Sequence, residues 1–245
     1  MTFLHHYYHL LKLELLVARR AIIMIVVIQV ALTIGLVVGF GYFVPEVSDV
    51  QALFLTTGTA TNTVVTVGLV ALPQNLSQAK NEGRLEYTLA LPVVREAYLL
   101  AQVSFVAIMA LPGVVFALVL GSLVYDITIT PSPVVLLVIP LAMLSLAGVG
   151  VAMAILSPYQ QLTNALTQLI IFYVILFAPV MIPREQLPSL LQTVANFMPP
   201  TYAADAMRGA LTDLPGTHLW RSLGLMGVFA TLSLGASALA VRRRA

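Results

Sequence analysis

The chain of 245 residues contains no cysteine. Disulfides, thiolate metal sites and a cysteine nucleophile are therefore excluded. Charge is almost as scarce: Asp, Glu, Lys and Arg make up 9% of the residues against 60% hydrophobic ones, with a mean hydropathy of +0.97. No water-solvated globular surface tolerates that balance, so the sequence predicts an all-α polytopic membrane protein. The small net charge of +2 implies no acidic partner, nucleic acid included. Lysine occurs only at Lys12 and Lys80, preceded by Leu11 and Ala79. A phosphate-binding loop needs glycines followed by Gly-Lys-Ser/Thr, so none is present, and no polar segment is long enough to fold a nucleotide-binding domain. The expectation is a non-catalytic chain with no cofactor or metal of its own.

What is there is a series of long apolar runs. About 20 apolar residues at 1.5 Å each cross a 30 Å hydrocarbon core, and the gaps between charges predict six spans. They fall at Ala21–Phe43, Ala52–Leu76, Ala97–Tyr125, Val134–Leu156, Leu162–Ile182 and Ser222–Val241. The first is too long for a signal-peptide core and lacks a small-residue cleavage pattern, so it is expected to remain as an anchor. No charge separates the fourth span from the fifth; the break rests on Ser157-Pro158-Tyr159-Gln160-Gln161, where proline and clustered amides favour a turn. Gly35 and Gly39 give the first span a small-residue pair suited to close helix packing.

Lysine and arginine set the orientation, because cytoplasmic loops retain positive charge. With the N-terminus inside, Lys12, Arg19, Arg20, Lys80, Arg84, Arg95, Arg242, Arg243 and Arg244 are cytoplasmic, and only Arg184, Arg208 and Arg221 are outside. Both termini are expected in the cytoplasm. Residues 2–20 read as an amphipathic helix lying on the inner leaflet, with His5, His9, Lys12 and Arg19 on one face and Leu4, Tyr7, Tyr8, Leu11, Leu15 and Ala18 towards another. His5 and His9 have the i, i+4 spacing of a metal pair, but no acidic or cysteine ligand completes a set.

The main charged island, residues 80–96, contains Glu82-Gly83-Arg84-Leu85-Glu86 and then a stretch to Leu91 long enough for two helical turns before Pro92. A solvated loop is one reading; a docking element is the other, since apolar anchors such as Leu85 and Leu89 supply affinity while charges fix register. Downstream, Pro179, Pro183 and Pro188 interrupt the chain, and Glu185–Phe197 and Thr201–Thr212 read as two helices too short to cross. Asp205 and Arg208 are expected to form an exposed pair contributing at most about 1 kcal/mol.

Glu82-Gly83-Arg84-Leu85-Glu86, followed by Leu91-Pro92-Val93-Val94-Arg95-Glu96, resembles the cytoplasmic coupling segment of the type-two class of ABC exporter permeases, whose pattern is close to E-x-G-T-L-E, a short helix, then T-P-V-x-R. Asn196-Phe197-Met198-Pro199-Pro200-Thr201-Tyr202 through Asp205 to Arg208 resembles that family's N-P-L-T-Y-x-x-D-x-x-R segment. Arg84 stands where threonine is common, and an additional residue separates Asn196 from the prolines. The resemblance implies one half of a transmembrane pathway, paired with a second permease copy or paralogue in a prokaryotic inner or plasma membrane. Two cytoplasmic ATPase subunits would bind ATP and magnesium. It makes Glu82, Gly83, Arg84, Leu85, Glu86 and Leu89 the ATPase-coupling residues and residues 184–212 an outer re-entrant hairpin before the last span.

Two polar stripes are the candidates for a substrate pathway. The second span carries Thr56, Thr59, Thr63 and Thr66 with Asn62 beside them, and the fifth carries Asn164, Thr167 and Gln168. Threonine hydroxyls that bond back to the preceding turn are the competing packing explanation. In the resembling family the second and fifth helices border the central cavity. The mixture of threonines, amides and apolar side chains suits an amphipathic, drug-like, lipid-linked or polysaccharide substrate. The alternative function is a self-sufficient carrier or channel, but such carriers usually keep an ionisable group within a span, and none of the six predicted cores has one.

Overall fold

A computed structural model of the protein describes residues 3–19, 22–43, 47–91, 94–178, 180–181, 186, 188–212, 214 and 216–242. Arg20, Glu46, Pro92, Pro179, Pro183, Arg184, Glu185, Asp213, Arg243 and Arg244, on which parts of the sequence reading rest, lie outside the described residues. All regular structure among those described is helical: α1 (Phe3–Ala18), α2 (Ile22–Phe43), α3 (Asp49–Thr66), a π turn (Val67–Ala71), α4 (Leu72–Asn81), α5 (Arg84–Ala90), α6 (Arg95–Tyr125), α7 (Val135–Leu156), α8 (Gln160–Phe177), α9 (Ser189–Ala195), α10 (Pro199–Leu211) and α11 (Leu219–Arg242).

Among the described residues four stretches are long and apolar enough to cross a membrane: Ile22–Gly39, Asp49–Asn81, Glu96–Tyr125 and Val135–Leu156. In α8 the first half is rich in amides and threonines, and the apolar described part of α11, Leu219–Gly235, is shorter.

The second of these stretches runs beyond its predicted end at Leu76. A capping box starts it: Ser48 Oγ accepts from the Gln51 amide at 3.4 Å and Gln51 Oε1 accepts from the Ser48 amide at 3.1 Å. Pro73 has no amide to donate and its ring crowds the preceding turn, which ordinarily kinks or ends a helix. Here the chain widens just before the proline, the Leu72 amide reaching back to Val67 O, and α3, the π turn and α4 continue as one helix of 33 residues. At 1.5 Å per residue that is about 50 Å, more than the hydrocarbon alone requires. The sequence reading stopped at Leu76 because hydropathy falls there, while the hydrogen-bonded helix does not.

Helix packing rests on glycines at contacts where a side chain has no room. A Cβ on Gly148 of α7 would lie 2.6 Å from Ser233 Cα of α11, and one on Gly121 of α6 would lie 2.3 Å from the Thr56 side chain of α3. Gly113 of α6 sits similarly against Thr63 and Gln29. The Gln29 amide crosses from α2 to donate to Met109 O at 2.9 Å, one turn before Pro112 interrupts the α6 ladder. Gly35 and Gly39, predicted as a close-packing pair, have nothing within 4 Å of an added Cβ among the described residues.

Helix α1 docks on α6 through Tyr7, Leu10, Leu11, Leu15 and Ala18, and Tyr7 Oη lies 2.9 Å from Ser104 Oγ. Leu4 and Tyr8, expected on that face, are exposed, as are Leu13, Leu16 and Val17. Part of the predicted lipid-facing stripe is thus taken by protein, because the 31-residue α6 extends far enough to receive it. Near the opposite end, α10 is wedged among α3, α7 and α11, with Ala203, Ala204, Met207 and Leu211 buried.

These contacts make the α7–α11 seam sensitive to one methyl group. Gly148→Ala is expected to cost about 2 kcal/mol by overpacking against backbone, whereas Gly35→Ala is expected to be neutral; thermal unfolding of the detergent-purified protein compares the two.

Candidate functional site

The charged island forms a helical reversal. Gly83 adopts φ +71°, the left-handed region where a Cβ is unfavourable, and this single residue turns the end of α4 into the start of α5. Glu82 braces the turn from both sides: Gln78 Nε2 donates to its Oε1 at 2.7 Å and Arg84 Nε to its Oε2 at 2.7 Å. These two contacts, Gln78 first, hold the Glu82 carboxyl below the usual range. Thr88 Oγ1 bonds back to Arg84 O at 2.8 Å. Leu85 is half-buried against the bundle and ties α5 to its own chain, while Glu86 and Tyr87 face outward, Tyr87 with 71% of its surface exposed. The Leu89 side chain lies outside the described residues.

A buried polar cluster flanks this turn where α1 meets α6. Gln102, only 2% exposed, donates Nε2 to Glu14 Oε1 at 2.6 Å and lies 3.2 Å from Tyr98 Oη. Burial raises the Glu14 pKa, and the positive charge of Arg84 and the Gln102 bond counteract it. Arg84 therefore faces Glu82 within its own turn and acts on Glu14 of the first helix. Neither Glu14 nor Gln102 belongs to a recognisable motif; the one signal was a lone carboxylate on an otherwise apolar and basic helix.

The α3 threonines lie within the bundle. Thr56 is fully buried against Gly121, Thr59 donates to Leu55 O at 2.7 Å, and Thr63 donates to Thr59 O at 3.1 Å with its methyl against Gly113. Asn62 and Thr66 are half-buried. On α8, Asn164 and Gln168 are exposed, whereas Thr167 is buried, accepts from Gln74 Nε2 at 3.1 Å and donates to Asn164 O at 2.8 Å. Among the described residues α8 packs chiefly on α4 and the π turn rather than on α3, which carries the threonine stripe. An apolar groove of about 650 Å³ with no ionisable residue in its lining runs between α7, α8 and α11, past Ser157, Leu166, Phe229 and Ser233.

Arg208 corrects the exposed-pair expectation. It is 3% exposed, with its guanidinium 4.1 Å above the Phe54 ring, 3.2 Å from Asp205 Oδ1, and donating to Val180 O. Gly58 lets this strap close, since a Cβ there would meet Val180 O at 2.6 Å. Spacing alone identified the Asp205 partner and missed the ring and the carbonyl, which come from distant sequence. His5 and His9 stack edge-on at 4.3 Å, and among the described residues no group of three metal-ligand side chains occurs.

An all-helical membrane protein with a braced helical reversal at one end and a buried arginine strap towards the other is thereby defined. Residues 6–212 match the sequence profile described as ABC-2 type transporter. The chain belongs to that family: it is an integral membrane permease subunit of an ABC transporter, a non-catalytic component of a family that generally works with cytoplasmic ABC ATPase subunits. No curated protein matches it.

Glu14 gives the α1–α6 joint a pH dependence of definite sign. Its carboxyl pKa is raised in the folded state, so its contribution is fully present below the unfolded value of 4.5 and is lost as pH rises through the folded value. Thermal stability in detergent is expected to rise as pH falls through the folded value towards 4.5, and Glu14→Gln is expected to remove that part of the dependence.

Proposed function

We propose that this permease subunit moves an amphipathic, drug-like, lipid-linked or polysaccharide substrate outward by alternating access, driven by separate ATPase subunits. The single observation that carries the reading is the α4–α5 reversal: a helix too long for the hydrocarbon ends in a glycine turn that presents Glu86 and Tyr87 to solvent. Aromatic side chains are enriched where proteins dock, and the flanking charges set register. Leu85 ties the same short helix to the bundle, so force applied to α5 is delivered to the spans. In this reading Glu82, Gly83, Arg84 and Leu85 hold the coupling helix, and Glu86, Tyr87 and Leu89 meet the ATPase subunit, which binds the ATP and magnesium.

The complex is a dimer of permeases, as a homodimer or with a paralogue, in a prokaryotic inner or plasma membrane. Six spans and cytoplasmic termini place residues 80–96 inside and 184–212 outside. The exposed Asn164 and Gln168 support a second permease facing α8, since amides facing lipid are costly and a protein partner covers them. The α3 stripe joins the pathway only where α3 moves relative to α6; in the present arrangement its threonines are held within the bundle.

Tagged protein drawn from its native membrane in mild detergent is expected to bring a stoichiometric ATPase. Tyr87→Asp, which leaves the buried Leu85 contact intact, is expected to weaken that association about tenfold or more, as loss of an interface hot spot does. Gly83→Pro is expected to retain the partner poorly and to abolish ATP-dependent transport. Recovery of the permease alone under conditions that preserve other membrane complexes would reject the reading and favour a self-sufficient carrier.

A further inference from the structure

Lysine 80 occupies a position that the coupling reading does not by itself explain. Its ammonium reaches out of α4 to three backbone carbonyls at the end of α7: Ala154 O at 3.5 Å, Ile155 O at 3.3 Å and Ser157 O at 2.5 Å. The last carbonyls of a helix have no partner within it, and a cation there satisfies them and complements the helix dipole. An ammonium has three donors in a compact group, which suits a cage of three carbonyls.

The same face of α4 holds α8 on the other side of that turn. One turn before Lys80, Ser77 Oγ lies 3.0 Å from Thr163 Oγ1, both side chains fully buried, and one turn earlier still Gln74 donates to Thr167 at 3.1 Å. Positions 74, 77 and 80 thus form a polar ladder at three-residue spacing that grips the end of α7 and the first two turns of α8. Three residues beyond Lys80 stands Gly83, whose amide bonds to Lys80 O at 3.1 Å. The segment that meets the soluble partner in our reading and the segment that carries Asn164 and Gln168 are therefore joined through the end of α4, by Lys80 at the α7–α8 turn and by Ser77 and Gln74 on α8 itself.

The geometry points to Lys80 as a positioning residue for energy coupling, the link through which a displacement of α5 reaches the α7–α8 turn and α8. This inference rests on the permease–ATPase reading above. Lys80 is placed to touch neither nucleotide nor substrate; its effect is on where the α7–α8 turn, and with it the start of α8, stands when α5 moves. If α4 tilts with α5, the carbonyl cage moves with the ammonium, and Thr163 and Thr167 carry α8 along. Without the ammonium the α7 end and the turn that leads into α8 lose their clamp, and α5 moves while that turn, up to Gln161 at the start of α8, lags.

The absence of cysteine from this chain allows single-probe labelling of the permease in a complex whose ATPase subunits are made cysteine-free. Ala90→Cys on α5 and Gln161→Cys at the start of α8 are both exposed positions outside the ladder. Each is labelled with an environment-sensitive fluorophore in the permease–ATPase complex reconstituted in nanodiscs, and the shift on adding ATP with magnesium is read. With Lys80 present both probes are expected to respond. In Lys80→Met the Ala90 response is expected to persist while the Gln161 response falls about fivefold or more, the scale of an ordinary coupling free energy, and Lys80→Arg is expected to restore it. An undiminished Gln161 response in Lys80→Met overturns the assignment. Should Lys80→Met fail to assemble, Lys80→Gln decides in the same way, since it keeps an amide donor but gives up the charge. A silent Ala90 probe with Lys80 intact overturns the ATPase-coupling reading itself and this inference with it, and so separates the two failures.

Discussion

Helices in a bilayer gain little by hiding apolar surface from one another, since the surrounding lipid is equally apolar; what holds them is close packing and interhelical hydrogen bonds. The whole arrangement here depends on a few positions where backbone meets backbone or a side chain at the shortest distance glycine permits. Gly148 admits Ser233, whose hydroxyl accepts from the Gly148 amide, and so sets α7 against α11. Gly121 and Gly113 admit Thr56 and Thr63, which fixes α3 on α6, and Gly58 admits the Val180 carbonyl beneath the Arg208 guanidinium. At Gly148 the close approach also gives a hydrogen bond, to the Ser233 hydroxyl, whereas Thr56 Oγ1 is buried against Gly121 with no hydrogen-bond partner among the described residues.

A second constraint is length. The helix from Asp49 to Asn81 is set by an N-terminal capping box and a C-terminal left-handed glycine, and between them the π turn absorbs Pro73 instead of ending the helix there. The consequence is mechanical. A single rigid element reaches from near the Arg208 strap, which α3 contacts through Phe54, to the α4–α5 reversal, where Lys80 and Glu82 anchor it to α7 and to α5. Motion imposed at one end has few places to be lost, and the elements that would respond, α7 and α8, are held by side-chain contacts on the same face.

Much of this was legible in the residues. Apolar run lengths located α2, α3, α6, α7, α8 and α11, and the short helix α5 was read from the stretch ahead of Pro92, though not the left-handed turn at Gly83 that starts it. What periodicity did not reveal has a common cause: hydropathy reports the solvent around a segment, not its hydrogen bonds. It therefore ended the second span at Leu76, assigned to lipid the α1 face on which Tyr7, Leu11, Leu15 and Ala18 pack against protein, and took Arg208 for an exposed charge. The Gly35 and Gly39 pair shows the converse, a motif of permissive geometry on which none of the described residues packs. Lys80, Glu14 and Gln102 were invisible because the partners lie 75 residues apart for Lys80 and Ile155 and 88 for Glu14 and Gln102, and the acceptors are backbone carbonyls in the one case and a lone carboxylate in the other.

The most direct test of the central claim is a structure of the chain extracted from its native membrane together with whatever accompanies it, determined by single-particle cryo-electron microscopy in a nanodisc. The account predicts a soluble ATPase seated on Glu86 and Tyr87 of α5 and a second permease opposite Asn164 and Gln168 of α8. A monomeric permease with α5 standing free in solvent and α8 facing lipid would contradict it.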